Sequence, residues 1–185
     1  AARTRLATDS KDRVARRAVQ LVPPGSTVVL DGGTTTLAVA RALPPDLACT
    51  VVTHSPTIAA ALVEHPSVDV FVLGGRLFKH SAVTCGAATA EAAQRVSADL
   101  FLLGVTGVHP DRGLTTGDPD EAAVKRLLAG RSAETWVLAS SEKVGAVSPH
   151  AVLPLDAVAG VVTDTVDEGA VRELEGRGVR VLRAE

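Results

Sequence analysis

Residues 26–43 read STVVLDGGTTTLAVARAL, and this stretch decides the fold. An apolar run, Val28 to Leu30, stops at an acid and two glycines. Three consecutive hydroxyl residues follow, and from Leu37 onward the apolar residues recur at helical spacing. A strand delivered through a glycine turn into a helix is the first half of a βαβ unit. The strand is continuously apolar rather than alternating, as expected of a strand covered on both faces.

The same alternation continues downstream. CTVVT precedes SPTIAAALVEH; VDVFVLGG precedes, after a loop, AATAEAAQRV; ADLFLLGV precedes a Gly/Asp/Pro loop and PDEAAVKRLLAG. Strands ETWVLAS and GVVTD, a helix DEGAVRELEGRG and a last strand VRVL complete the series. Upstream, DSKDRVARRAVQLVPPG predicts a helix capped by Asp9 or Ser10 and ended by Pro23 and Pro24. Its polar side carries Lys11, Arg13, Arg16 and Arg17, which reads as a solvated face. The expected fold is α/β: a mostly parallel open sheet with helices on both faces. No repeat or low-complexity linker divides the chain, so residues 1–185 are expected to form one domain. The stretch TGVHPDRGLTTGDPD is read as the longest irregular segment, and long loops inside compact domains are disproportionately functional.

With 185 residues, 46% of them hydrophobic but only one Trp and no Tyr, the core must be aliphatic. A net charge of −2 gives no global attraction for nucleic acid or anionic lipid. No apolar run reaches membrane-spanning length, and the polar opening AARTRLATDSKDR lacks the apolar core of a signal peptide, so a cytoplasmic protein is expected. The chain begins with Ala and contains no Met, which reads as a processed chain or a piece of a longer one. Cys49 and Cys85 lie apart with no ligand spacing around them; they read as core residues, and no metal or cofactor is expected.

In open α/β sheets, ligands bind beyond the carboxyl ends of the strands, where helix N-termini present unpaired N–H groups. Gly32 and Gly33 allow close backbone approach there, and Thr34, Thr35 and Thr36 supply amides and hydroxyls for an uncharged phosphate cradle. No Lys follows the glycines, which excludes a P-loop, and the three spaced glycines of a dinucleotide fingerprint are missing. A second strand end, Thr53, His54 and Ser55, repeats the hydroxyl chemistry, with His54 suited to a ligand hydrogen bond or a helix-end role. Further strand ends supply Gly75 and Arg76, then Gly104, Thr106 and Gly107. Lys143 follows a strand-end Ser pair, where a cation would meet a phosphate or a sugar hydroxyl. Taken locally, Asp118 to Glu121 is a helix start and Glu121 with Lys125 an ordinary i,i+4 pair.

TDSKDRVARRA, VLDGGTTTLAVARAL, VVTHSPTIAAAL, VDVFVLGGRL, DLFLLGVTGV, GLTTGDPDEAAVKR, EKVG and VVTD occur in one order across nearly the whole chain. In that order they resemble the C-terminal sensor domain of DeoR-family transcriptional repressors. The resemblance implies a fold like ribose-5-phosphate isomerase and the CoA-transferases, and a phosphorylated sugar or related metabolite as effector. It also implies that Asp31 through Thr36, Thr53 and Ser55 bind the ligand, with Gly104 to Gly107, Glu121, Lys125 and Lys143 closing the pocket. DNA would be bound only through an N-terminal winged helix-turn-helix that is absent from these residues, and a homo-oligomer is expected because palindromic operators match two-fold axes. The chain departs from the family's pattern at His54, where Asn is usual, and at Ser140, where Asp is usual. The alternative is a sugar-phosphate isomerase or CoA transferase, with Asp31, Asp118 or Glu121 as the working carboxylate. The acid-rich and Lys-Gly-rich loops expected of the isomerase are missing from LGVTGVHPDRGLTT, so the chain reads as a sensor and not an enzyme.

Overall fold

Elements form where apolar runs meet glycine, proline or hydroxyl punctuation. In this computed structural model residues 2–185 are described, with side chains from Ala7 onward; Ala1 of the polar opening lies outside the described residues. The order is α1 (Ala2–Val19), β1 (Thr27–Leu30), α2 (Thr34–Ala42), β2 (Cys49–Thr53), α3 (Pro56–Leu62), β3 (Val68–Val72), β4 (Arg76–Phe78), β5 (Val83–Cys85) and α4 (Ala87–Gln94). There follow β6 (Ala98–Gly104), β7 (Gly107–His109), β8 (Gly113–Thr116), α5 (Pro119–Gly130), β9 (Ser132–Ala139), β10 (His150–Leu153), β11 (Gly160–Thr163), α6 (Glu168–Gly176) and β12 (Arg180–Arg183).

A seven-stranded sheet runs β12-β11-β9-β6-β1-β2-β3, and every pairing in it is parallel. Alternate residues of each strand feed opposite cores. Val28 and Leu30 pack under α1, α2 and α3 with Val14, Ala18, Val39 and Ile58. Val29 points the other way, into a core with Phe101, Leu128 of α5 and Leu174 of α6. Both faces are therefore covered, and each fully buried Val, Leu or Phe stabilises by about 1.5–3 kcal/mol.

The chain leaves β1 for β2 and β3 on one side, then returns to β6 on the other. That reversal opens a crevice between the carboxyl ends of β1 and β6, the usual ligand position in such sheets.

Three details differ from the sequence reading. First, α1 starts at Ala2, so Asp9 and Ser10 lie inside it and cap nothing; Ala, Arg and Leu at its start sustain a helix and no breaker interrupts them. Second, the supposedly irregular stretch after β6 is largely the β7–β8 hairpin, joined by β10 into a small antiparallel sheet. Third, the loop after β3 contains a second hairpin, β4–β5. These strands have three or four residues, too few to show a period.

Candidate functional site

Asp31 is the first residue after β1 and is fully buried. Its Oδ1 accepts from the Gly32 amide (2.8 Å) and from His54 Nε2 (2.8 Å). Its Oδ2 accepts from Lys125 Nζ (2.5 Å) and from the Gly104 amide (3.0 Å). One carboxylate thus ties the ends of β1 and β6 to α5 and to the loop after β2. Burial would raise the Asp31 pKa, but the Lys125 ammonium and the His54 ring overrule it and hold the carboxyl well below the usual range. Lys125 also donates to the Gly104 carbonyl at 2.8 Å.

Above this knot lies a cavity of about 520 Å³. Gly32 through Thr36 form one wall, Ser55 and Thr57 another, and Gly104 to Thr106, Thr116 to Asp118, Glu121, Lys125 and Lys143 a third. Gly33 is the N-cap of α2 at φ 112°, a left-handed conformation that favours glycine, and among the described residues no side chain caps this helix. The first-turn amides of a helix have no intrahelical partner, so here they face the cavity without one from a cap. Thr36 donates its hydroxyl back to the Gly33 carbonyl at 3.0 Å. The Thr35 hydroxyl is buried in the wall and has no partner among the described residues, an omission that costs about 1–3 kcal/mol.

Lys143 lies on a short 3-10 turn, Ser141–Lys143. Burial pushes its pKa below the ordinary value, Glu142 opposes that shift, and Lys11 and Lys125 reinforce it. Among the described residues its ammonium has no hydrogen bond or ion pair. Glu121 accepts from Ser81 Oγ at 3.1 Å, while Asp118 caps α5 through the amides of Asp120 and Glu121.

Of the residues singled out in the sequence, Gly32 to Thr36, Ser55, Gly104, Thr106, Glu121, Lys125 and Lys143 come together on the cavity wall. Asp31, Thr53 and His54 are wholly buried behind it. Thr53 Oγ1 accepts from the Ser55 amide, and His54 Nδ1 meets the Thr84 carbonyl at 2.9 Å. Gly75 and Arg76 stand apart: a Cβ on Gly75 would collide with Thr89 Oγ1, and Arg76 is exposed in β4 beside Cys85 and Asp120. Gly107 pairs with Thr115 in the small sheet and does not reach the cavity.

The sequence reading missed Phe78, His80, Ser81 and Ala82, which the β4–β5 hairpin brings to the cavity mouth. Val83 of that hairpin packs so close to Gly32 that any Cβ there would meet its Cγ1. Only the turn-forming KHSA between two short apolar runs hints at it. Cys49 and Cys85 are both free and buried, and burial together with Glu121 pushes the Cys85 thiol up to about 12. Among the described residues no cluster of His, Cys, Asp and Glu is arranged to hold a metal ion, and no helix is long and apolar enough to cross a membrane.

Sheet order and cleft position define an α/β fold of the ribose-5-phosphate isomerase type. The isomerase A of Methanocaldococcus jannaschii superposes at TM-score 0.54 with 18% identity, covering 73% of this chain and 53% of that one. Residues 6–165 match the family described as DeoR C terminal sensor domain, and the chain belongs to that family. It is 33% identical over 175 residues to the HTH-type transcriptional regulator GlpR of Haloferax volcanii, covering 94% of this chain and 68% of the relative. It is 30% identical over 138 residues to the glycerol-3-phosphate regulon repressor of Escherichia coli, covering 75% of this chain and 55% of that protein.

Proposed function

We propose that this cleft binds a phosphorylated sugar or polyol and that occupancy controls DNA binding by a winged helix-turn-helix outside these residues. The observation that carries the reading is the open N-terminus of α2. Among the described residues its amides lack a side-chain cap, Thr35 Oγ1 lacks a partner, and the Lys143 ammonium that lines the same cavity has no ion pair. A phosphate supplies what all three want: acceptor oxygens and negative charge. The name of the Escherichia coli relative, a glycerol-3-phosphate regulon repressor, agrees with a small phosphorylated polyol.

The site is read as binding, not turnover. Asp31 has both oxygens committed and no exposed surface, so it has no path to a substrate proton. As a cytoplasmic regulator of palindromic operators, the protein would act as a symmetric homo-oligomer. A thermal-shift screen of sugar and polyol phosphates beside their unphosphorylated forms tests the reading. A phosphorylated effector at about 100 times its Kd should add about 2.7 kcal/mol of stability. Failure of every phosphorylated compound to raise the melting temperature would overturn it.

A further inference from the structure

Among the basic residues on the polar side of α1, Arg13 is not a solvated charge. Its Nη2 donates to Asp164 Oδ2 at 2.7 Å, in an ion pair whose Asp164 side chain is only 2% exposed. Asp164 is the first residue after β11, on the row of strand ends that also carries Asp31 after β1 and Ser140 after β9. Its other oxygen, Oδ1, accepts from the Ser141 amide at 2.9 Å. One buried carboxylate therefore holds α1 with one oxygen and the start of the Ser141–Lys143 turn with the other.

That turn places Lys143. The Gly145 amide, just beyond it, donates to the Val108 carbonyl of β7 at 2.7 Å, and the Lys143 amide donates to the Ser140 carbonyl at 2.9 Å. The pin at Gly145 is backbone on backbone, whereas the pin at Ser141 depends on the Asp164 side chain alone. Glu142 is turned back on its own loop, where its Oε1 accepts from Ser140 Oγ at 2.6 Å. Among the described residues it makes no ion pair with Lys143, whose side chain lines the cavity. The charges acting on Lys143 are mixed: Lys11 and Lys125 are alike, Glu142 and Asp31 are opposite, and Glu121 and Asp118 stand on the same cavity wall.

We propose that Asp164 is a positioning residue that ties the anion-binding Lys143 turn to Arg13 of α1, so that filling of the cleft and seating of α1 are coupled. This rests on the reading of the cleft as an anion-binding site. An anion that draws in the Lys143 ammonium fixes the turn, and the turn fixes Asp164 against Arg13. By linkage, a firmly seated α1 strengthens anion binding by the same factor. On the function proposed above, α1 is the element that a preceding DNA-binding segment would meet first.

Charge alone and positioning predict opposite signs. Loss of a negative charge beside the cleft should tighten anion binding, whereas release of the Lys143 turn should weaken it. Inorganic phosphate is the probe, measured by calorimetry. Asp164→Asn should bind phosphate about tenfold more weakly than wild type, within the usual range of coupling between sites. In Lys143→Met, where no ammonium remains to be placed, adding Asp164→Asn should cost little more. Hydrogen exchange on the wild-type chain, which does not depend on a variant folding, should show the α1 amides around Arg13 slowing at saturating phosphate. Unchanged or tighter binding in Asp164→Asn, equal losses with and without Lys143, or unaltered exchange in α1 would each overturn the coupling while leaving anion binding intact. Absence of binding by phosphate and by every sugar or polyol phosphate would instead remove the anion site, and the coupling with it.

Discussion

Two neighbouring parallel strands, β1 and β2, each release a helix through a hydroxyl-rich turn, and the two turns end in opposite states. After β2 the turn caps its own helix: Thr53 Oγ1 accepts the Ser55 amide, Ser55 Oγ caps Ile58 at 3.3 Å, and Pro56 removes an amide that would have had no partner. After β1 the cap is a glycine, and among the described residues no side chain reaches the first-turn amides and the buried Thr35 hydroxyl has no partner. Residue type alone does not separate the two turns. Ser55 can fold back to cap because it occupies the N-cap position, whereas the threonines after β1 lie one to three residues inside α2, where the side chain cannot reach its own helix amides. On the proposed function the β2 turn is a buttress and the β1 turn the receptor.

The largest test of this contrast strikes the support they share. In Asp31→Asn the new amide would face donors from Gly32, His54, Gly104 and Lys125. Breaking a buried charge pair from one side costs about 3–5 kcal/mol, measurable by urea unfolding. Because the folded carboxyl pKa is depressed, its stabilisation is complete above the unfolded value of about 4 and drains away as pH falls below it. The Asn variant should therefore lose less stability than wild type on acidification from about pH 4 to 2.

Gly33→Val comes next and strikes the receptor turn alone. At φ 112° a β-branched residue is strained, so about 1–3 kcal/mol of stability should be lost. Effector binding should fall further than in any single-hydroxyl variant, because the loop must shift to relieve the strain. Retained affinity in a folded Gly33→Val protein would contradict the cradle. Ser55→Ala, in the buttress turn, is the smallest effect: about 1 kcal/mol from the lost cap, with effector affinity nearly unchanged. A large affinity loss there would erase the distinction between the turns.

The parallel sheet was legible because its inner strands β1, β2 and β6 are Val/Leu-rich runs that end near glycine or hydroxyls, and the glycine-threonine turn marked the cleft. The β4–β5 and β7–β8 hairpins were not legible, since three- and four-residue strands such as Arg76–Phe78 carry no period. The β4–β5 hairpin brings His80 and Ser81 to the cavity and presses Val83 against Gly32. The Asp31–His54–Lys125 knot was hidden for another reason: its members lie 23 and 94 residues from Asp31 in sequence and meet only through sheet order. Glu121 and Lys125, locally an i,i+4 pair, take different partners, Ser81 and Asp31. Tertiary geometry overrode the local pattern.

Thr35 is where a phosphate contact is most directly tested. Thr35→Val keeps the shape and removes only the hydroxyl, so calorimetry with a phosphorylated effector and its unphosphorylated form isolates the contact. The phosphorylated form should lose about 1.5–3 kcal/mol, which is about ten- to over a hundred-fold in affinity. The unphosphorylated form should lose little more than its already weak binding. The free variant should melt no lower than wild type, because the hydroxyl it lacks has no partner to lose. Equal losses for both forms, or none for either, would contradict a phosphate cradle and leave the β1 turn as an ordinary helix start.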